Sequence, residues 1–288
     1  MAAETNTIMQ ADLARVRTVD FNIQFTGSIN KMMEALGVTR KIAVQEGAAL
    51  KMIKVTGTLE DGSVAEGELI PLSKYKTTEE SVGEVKLNKW RKATTAEAIL
   101  KGGYDQAVGE TTDKMVKDIQ KSIRTGLFTF MATGTGTATG ATLQAALANA
   151  WGKLAVLFED DAVETVFFLN PMDVSDYLGT AQVTMQTAFG MNYIENFLGL
   201  GTVFFNSSIP EGKFYATAKD NIVTYYINIG SGDIAAAFNL TTDETGYIGI
   251  REYPDEDHAR VMDLVMSGVT FFPERQDGIV VGTIPESV

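Results

Sequence analysis

Between Tyr104 and Leu127 apolar side chains return every four or seven residues: Tyr104, Val108, Met115, Ile119, Ile123 and Leu127, with Thr111 or Thr112 in the gap. Lys114, Asp118 and Lys121 fall off this stripe. The period is helical, so residues 104–131 are predicted to form one helix, about 42 Å long at about 1.5 Å per residue. A helix of that length with a single apolar stripe has to lie across a sheet or another subunit. A shorter helix is expected over 95–101, broken by Gly102-Gly103. Another is expected over 142–158, where Leu143, Leu147, Trp151, Leu154 and Phe158 recur at intervals of three and four behind Thr142 as N-cap.

Other segments read as extended. Residues 48–59 are rich in β-formers and run into Asp61-Gly62, a tight hairpin-turn signal. Val64 to Leu72 resumes an extended pattern, and a polar stretch leads to VKLNKWRKATT. These segments hold Leu50, Met52, Val55, Leu69, Leu72, Val85 and Leu87, too little apolar surface for an independent core. Residues 48–92 are therefore either a long hairpin stabilised by other chains or an antiparallel sheet packed on its own domain. TGTGTATG, residues 133–140, reads as a flexible linker and a candidate domain boundary. Beyond it come a buried strand at 163–169 ended by Asn170-Pro171, a helix starting near Asp173, and strands near 202–206, 213–217 and 222–229 in one compact α/β unit. Residues 245–254, 259–273 and 278–284 are strand-like. Residues 1–30 are polar and weakly patterned. Leu13, Val16 and Val19 suit one short amphipathic turn, and the rest reads as an extended arm.

Charge sharpens this picture. The 288 residues carry 24 basic and 37 acidic groups, a net of −13. Residues 40–101 hold 11 of the cations against 9 acids, whereas residues 102–288 hold 10 against 24. Within the basic segment Lys74, Lys76, Lys86, Lys89, Arg91 and Lys92 face only Glu79, Glu80 and Glu84. That is either a solvated hairpin face or a positive arm docking on the acidic body of a neighbouring copy. Complementary charge of this kind steers and registers association. The overall balance argues against uniform binding to nucleic-acid phosphates, which needs a positive surface.

Catalytic signatures are missing. There is no cysteine, hence no disulfide, thiolate metal site or thiol nucleophile. A single histidine, His258, excludes multi-histidine zinc sites and reads as a surface loop residue. Gly134, Gly136 and Gly140 follow a helix, not a strand, and no lysine accompanies them, so they are no phosphate loop. The acidic runs Glu159-Asp160-Asp161 and Asp255-Glu256-Asp257 lack the spaced oxygens of a calcium site and read as solvated loops. Ser207-Ser208 has no evident base other than His258. No apolar run reaches the roughly 20 residues of a membrane helix, and the N-terminus has no signal-peptide pattern. No enzyme, cofactor or metal is expected, and the product is expected to stay in the cytoplasm or assemble there.

The order of parts resembles the major capsid proteins of tailed bacteriophages of the Hong Kong 97 type. VFFLNPMDVSDYLG resembles that family's axial strand, Asn-Pro corner and following helix. GTVFFNSSIPEGKFYATAKDNIVTYYI resembles its later strands and Pro-x-Gly turn, and GIVVGTIPES its terminal strand. The resemblance implies an α+β fold: an N-terminal arm at 1–42, an extended hairpin loop at 43–94, a peripheral domain at 95–140 and 236–272 with spine helix 104–131, and an axial α/β domain at 141–235 and 273–288. It implies a homo-oligomeric shell of pentamers and hexamers around double-stranded DNA, assembled in the bacterial host. A separate scaffolding protein, a portal and a decoration protein are the implied partners, with no membrane. The short arm leaves no room for the type member's cleaved scaffold segment. That member's lysine–asparagine cross-link does not carry over: Lys74 and Lys76 lie in the loop, but no asparagine or catalytic glutamate matches. The alternatives are an encapsulin-type compartment and, in different classes, a tail-tube or adhesin protein and an acidic-site hydrolase.

Overall fold

A computed structural model describes residues 10–38, 40–158, 164–180, 184–230 and 233–285, with the side chains of residues 10–20, 54, 55, 82, 176 and 180 outside that set. In chain order, helix α1 (Gln10–Leu36) leads through β1 (Lys41–Ala43) into β2 (Ala49–Thr58) and β3 (Lys74–Glu84). Then follow β4 (Asn88–Thr95), α2 (Ala96–Gly102), α3 (Thr111–Met131), β5 (Gly136–Thr139), α4 (Leu143–Leu157), β6 (Thr165–Leu169) and α5 (Ser175–Thr180). The chain continues through β7 (Gln186–Ala188), β8 (Met191–Phe197), β9 (Gly201–Phe205), β10 (Lys213–Ala218), β11 (Ile222–Tyr226) and α6 (Asp233–Phe238). It closes with β12 (Thr241–Thr242), β13 (Ile248–Asp255), β14 (Arg260–Ser267), β15 (Thr270–Pro273) and β16 (Ile279–Thr283).

The central layer is a seven-stranded mixed sheet in the order β5-β16-β10-β6-β9-β8-β7. Strand β6 is buried along its whole length, so its side chains feed two cores. Phe167 and Leu169 pack with Phe205, Phe214 and the inward face of α4, Ala146, Leu147, Ala150 and Leu154. Val166 and Phe168 turn to the other side, where α1 and α3 lie. There the Phe128 ring meets Phe168 edge-on at 5.5 Å, and Phe168 stacks on Phe204 at 5.7 Å. A four-stranded sheet, β12-β13-β14-β4, extends this second core.

Several expectations need correction. The N-terminal arm is a 27-residue helix over its described part, not an extended strap. Phe21, Phe25, Ile29, Met32, Met33 and Leu36 recur at helical spacing and are at most 6% exposed. The Leu13, Val16 and Val19 turn falls on side chains outside the described set, and the stripe is described from Phe21 onward. Gly37, at φ 68°, ends the helix, and Val38 N–H closes it by donating to Met33 O at 2.8 Å.

The Gly-Thr run is no loose linker. Strand β5 pairs in parallel with β16, Gly136 opposite Val280. A Cβ on Gly134 would sit 2.6 Å from Ile279 Cγ2, so glycine here allows close approach, not flexibility. Strand β11 leaves the α/β unit for a three-stranded sheet between β1 and β15. Residues 88–95 do not continue the hairpin: β4 pairs with β14 across its whole length. Asp61-Gly62 makes no tight turn, because strand pairing stops at Thr58–Lys74 and residues 59–73 form a long irregular tip.

The spine helix follows its stripe, with Val108, Ile119, Ile123 and Leu127 buried. Its first turn, Asp105–Glu110, winds as a π-helix. The cause is local: the Val108 carbonyl accepts from Lys92 Nζ at 3.0 Å and from Thr112 Oγ1 at 2.7 Å, which draws it off the regular ladder.

Candidate assembly surfaces

The hairpin of β2 and β3 pairs with no other strand. Among the described residues, only Leu50 and Met52, with Val85 and Leu87 just past β3, are buried at its base. Ile53 N–H ties that base to the body through Glu274 O at 3.0 Å. Further out Tyr75 lies over Gly57, whose missing Cβ leaves room for the ring. At the tip Leu59, Leu69, Ile70 and Leu72 are 77%, 94%, 66% and 91% exposed. Four large apolar side chains close together on one ribbon make a candidate interaction surface.

A second apolar surface lies on α4. The helix is apolar almost all round, and Trp151, Val156 and Leu157 face outward. Such a helix is normally enclosed on every side.

The six candidate cations do not form one patch. Lys74 and Lys76 stand exposed on β3, and Lys86 follows it, 3.0 Å from Glu84. Lys89 and Arg91 occupy the exposed face of β4. Lys92, unlike the other five, faces inward and is engaged within the subunit. Its ammonium lies 2.9 Å from Asp263, itself 4% exposed, and donates to Thr111 Oγ1 and Thr112 Oγ1 at 2.8 and 2.6 Å. The pair clamps the spine helix to β4 and β14. Lys92→Ala strands a buried carboxylate and is expected to cost about 3 kcal/mol, measured as a lower urea midpoint. Adding Asp263→Leu should restore most of the loss.

The chemical candidates resolve into structure. Asp255 accepts from Arg260 Nε at 2.8 Å and lies 3.1 Å from His258 Nδ1, and these contacts hold its carboxyl below the usual range. His258 is exposed in the adjoining turn. Asn206 Oδ1 accepts from Ser208 N–H at 2.8 Å, which places Ser207-Ser208 in a turn after β9. Glu159-Asp160-Asp161 lies outside the described residues. Among the described residues no three His, Asp or Glu side chains cluster as a metal site would require, and no helix is long and apolar enough to cross a membrane.

No protein-family model matches the sequence, and no curated protein is similar to it in sequence. Solved structures are similar in three dimensions. The capsid asymmetric unit of cyanophage A-1(L) superposes with a TM-score of 0.56 at 14% identity, over 89% of this chain and 93% of that one. The capsid of cyanophage P-SCSP1u gives 0.55 at 9% identity, over 88% of both chains. The SrpI encapsulin complex of Synechococcus elongatus PCC 7942 gives 0.51 at 11% identity, over 98% of this chain and 92% of that one. The chain has the Hong Kong 97 fold. Strands β2–β3 fall within the residues expected to form the extended loop, and α3 within those expected to form the spine helix. The hydrophobic tip of the loop and the buried Arg124 of the spine are features that sequence reasoning missed. Arg124 was legible in principle, standing eight residues after Val116 and four before Phe128 on the buried face.

Proposed function

We propose that this chain is the major capsid subunit of a tailed bacteriophage, a structural protein that closes into an icosahedral shell of pentamers and hexamers around double-stranded DNA. The observation that carries this reading is the hairpin. Its base is anchored and its tip is bare, so the apolar side chains there find cover only on another copy. Interfaces of this obligate kind bury about 2,000–5,000 Å² or more. In this reading the arm, loop, peripheral and axial regions divide the chain as the resemblance implies, α1 replacing the extended arm. Assembly takes place in the bacterial host cytoplasm, aided by a separate scaffolding protein and completed by a portal. The acidic body repels the duplex and lets it slide during packaging.

The hairpin lies over a neighbour's spine helix, with Lys74, Lys76, Lys86 and Arg91 directed at acidic groups there. Lys86→Glu combined with Arg91→Glu is expected to lower particle yield several-fold at low ionic strength and less at high. Sedimentation of the products at both salt concentrations checks this, and wild-type yields throughout would refute the charge contact.

Negative-stain microscopy of the purified protein tests the reading as a whole. Closed particles of megadalton mass are expected, and a homogeneous monomer at assembly concentration would overturn it. One observation favours an encapsulin-type compartment as the second reading: the SrpI superposition spans 98% of this chain. The contents decide, since the capsid reading requires packaged DNA in infected cells and the compartment reading a protein cargo.

A further inference from the structure

Arg124 is 8% exposed, and among the described residues no carboxylate pairs with it. Its Nη1 donates to Phe189 O, and Cζ lies 5.8 Å from the Phe189 ring centroid. Its Nε is buried without a hydrogen-bond partner. Burial pushes its pKa below the ordinary guanidinium value, and no neighbouring charge offsets that. An arginine held this way costs the isolated subunit its desolvation, offset only by the Phe189 contacts. The side chain does not face packed core. It lines an open cavity of about 460 Å³, whose mouth carries Lys121, Asn192, Ser207 and Ser208, all exposed. Gly190, at φ 71°, borders the guanidinium; a Cβ there would sit 2.8 Å from Nη1 and crowd it. The cavity thus presents a buried planar cation, an ammonium one helical turn away and small polar groups. That is the chemistry of an oxyanion receptor, for which the guanidinium fork is suited.

We propose that this cavity receives a carboxylate side chain carried by a neighbouring copy of the chain. The inference rests on the shell reading. Charge complementarity selects a second copy: the cavity is a cationic spot on a segment holding 10 basic and 24 acidic residues, so a sister subunit offers carboxylates in excess. A carboxylate entering here meets a cation whose desolvation cost has already been met on folding. The contact therefore rewards correct register between bodies that otherwise repel each other.

Arg124→Met keeps the apolar stem and removes the charge. Soluble subunits of this variant are expected to melt at or above the wild-type temperature, while particle yield falls about tenfold or more. Arg124→Lys should restore part of the yield. Should Arg124→Met fail to fold, Lys121→Glu at the exposed mouth is expected to lower yield at low salt and lose that effect at high salt. Wild-type assembly by both Arg124→Met and Lys121→Glu would overturn the proposal and leave the shell reading standing. A wild-type protein that forms no particles would overturn both. A phosphate titration separates the sources of anion. If phosphate raises the melting temperature of wild type but not of Arg124→Met, and that variant assembles normally, the cavity binds a solution anion and the neighbour's carboxylate is refuted. A reconstruction of the shell placing a sister carboxylate within about 4 Å of the Arg124 guanidinium supports the proposal directly.

Discussion

Replacing Leu69, Ile70 and Leu72 together with serine is expected to leave the subunit folded and to abolish particles. In the isolated chain these side chains are 94%, 66% and 91% exposed, so the folded body loses no buried contact when they change. Full burial of a leucine or isoleucine is worth about 1.5–3 kcal/mol, which puts the three at roughly 4.5–9 kcal/mol per subunit contact if a neighbour covers them. A shell repeats that contact at every subunit, so a loss of this size moves the balance from particle to free subunit. The check is a gradient separating particles from subunits, with circular dichroism and a thermal melt to show that the body is intact. Particles at normal yield would mean the ribbon is ornamental. The same reasoning fixes the behaviour of the wild type under limited proteolysis. Residues 59–73 should be cut rapidly in dilute subunits and protected in particles, because among the described residues all of them but the half-buried Val64 are exposed.

Much of the architecture was legible because its signals are local. The α3 stripe and the Thr142 cap need only helical spacing and one side-chain oxygen, and both recur in the fold as read. Strand β6 was legible because a short run of β-branched and aromatic residues bounded by Asn170-Pro171 suits burial on both faces. What failed was long-range. Gly134 and Gly136 look flexible until Ile279, far along the chain, lies against them. Lys92 looks like one more surface cation until Asp263 is placed opposite it across β4 and β14. Strands β7 and β8 went unread, since Gln186–Phe197 mixes polar and apolar residues with an irregular register at Ile194–Phe197. Of the candidate surfaces, the cations were singled out and the apolar tip was not. Leu69, Ile70 and Leu72 sit among turn-forming residues, where isolated apolar groups carry no periodic signal.

The helical arm leads to the second large effect. Phe25→Ala is expected to destabilise the isolated subunit by about 4 kcal/mol, within the range for a large aromatic truncated in a core. Phe25 is fully buried, and its ring meets Phe189 edge-on at 6.0 Å, so the change opens a cavity and breaks an aromatic pair. Helix α1 and the Ile123–Leu127 face of α3 share that core, so the loss should appear in the cooperative melt as a drop of roughly 10 °C. Ile23, 60% exposed two residues earlier, is the control: Ile23→Ala should stay within about 0.5 kcal/mol. An extended arm lying on a neighbour makes the opposite prediction, because in a solitary subunit Phe25 would then support nothing and both variants would melt alike. The contrast divides the molecule by where its stability comes from. Residues 21–36 belong to the subunit's own core, whereas in the proposed shell the ribbon beyond Thr58 depends on sister copies, so damage to the first is expected to unfold the monomer and damage to the second to leave a sound monomer that cannot assemble.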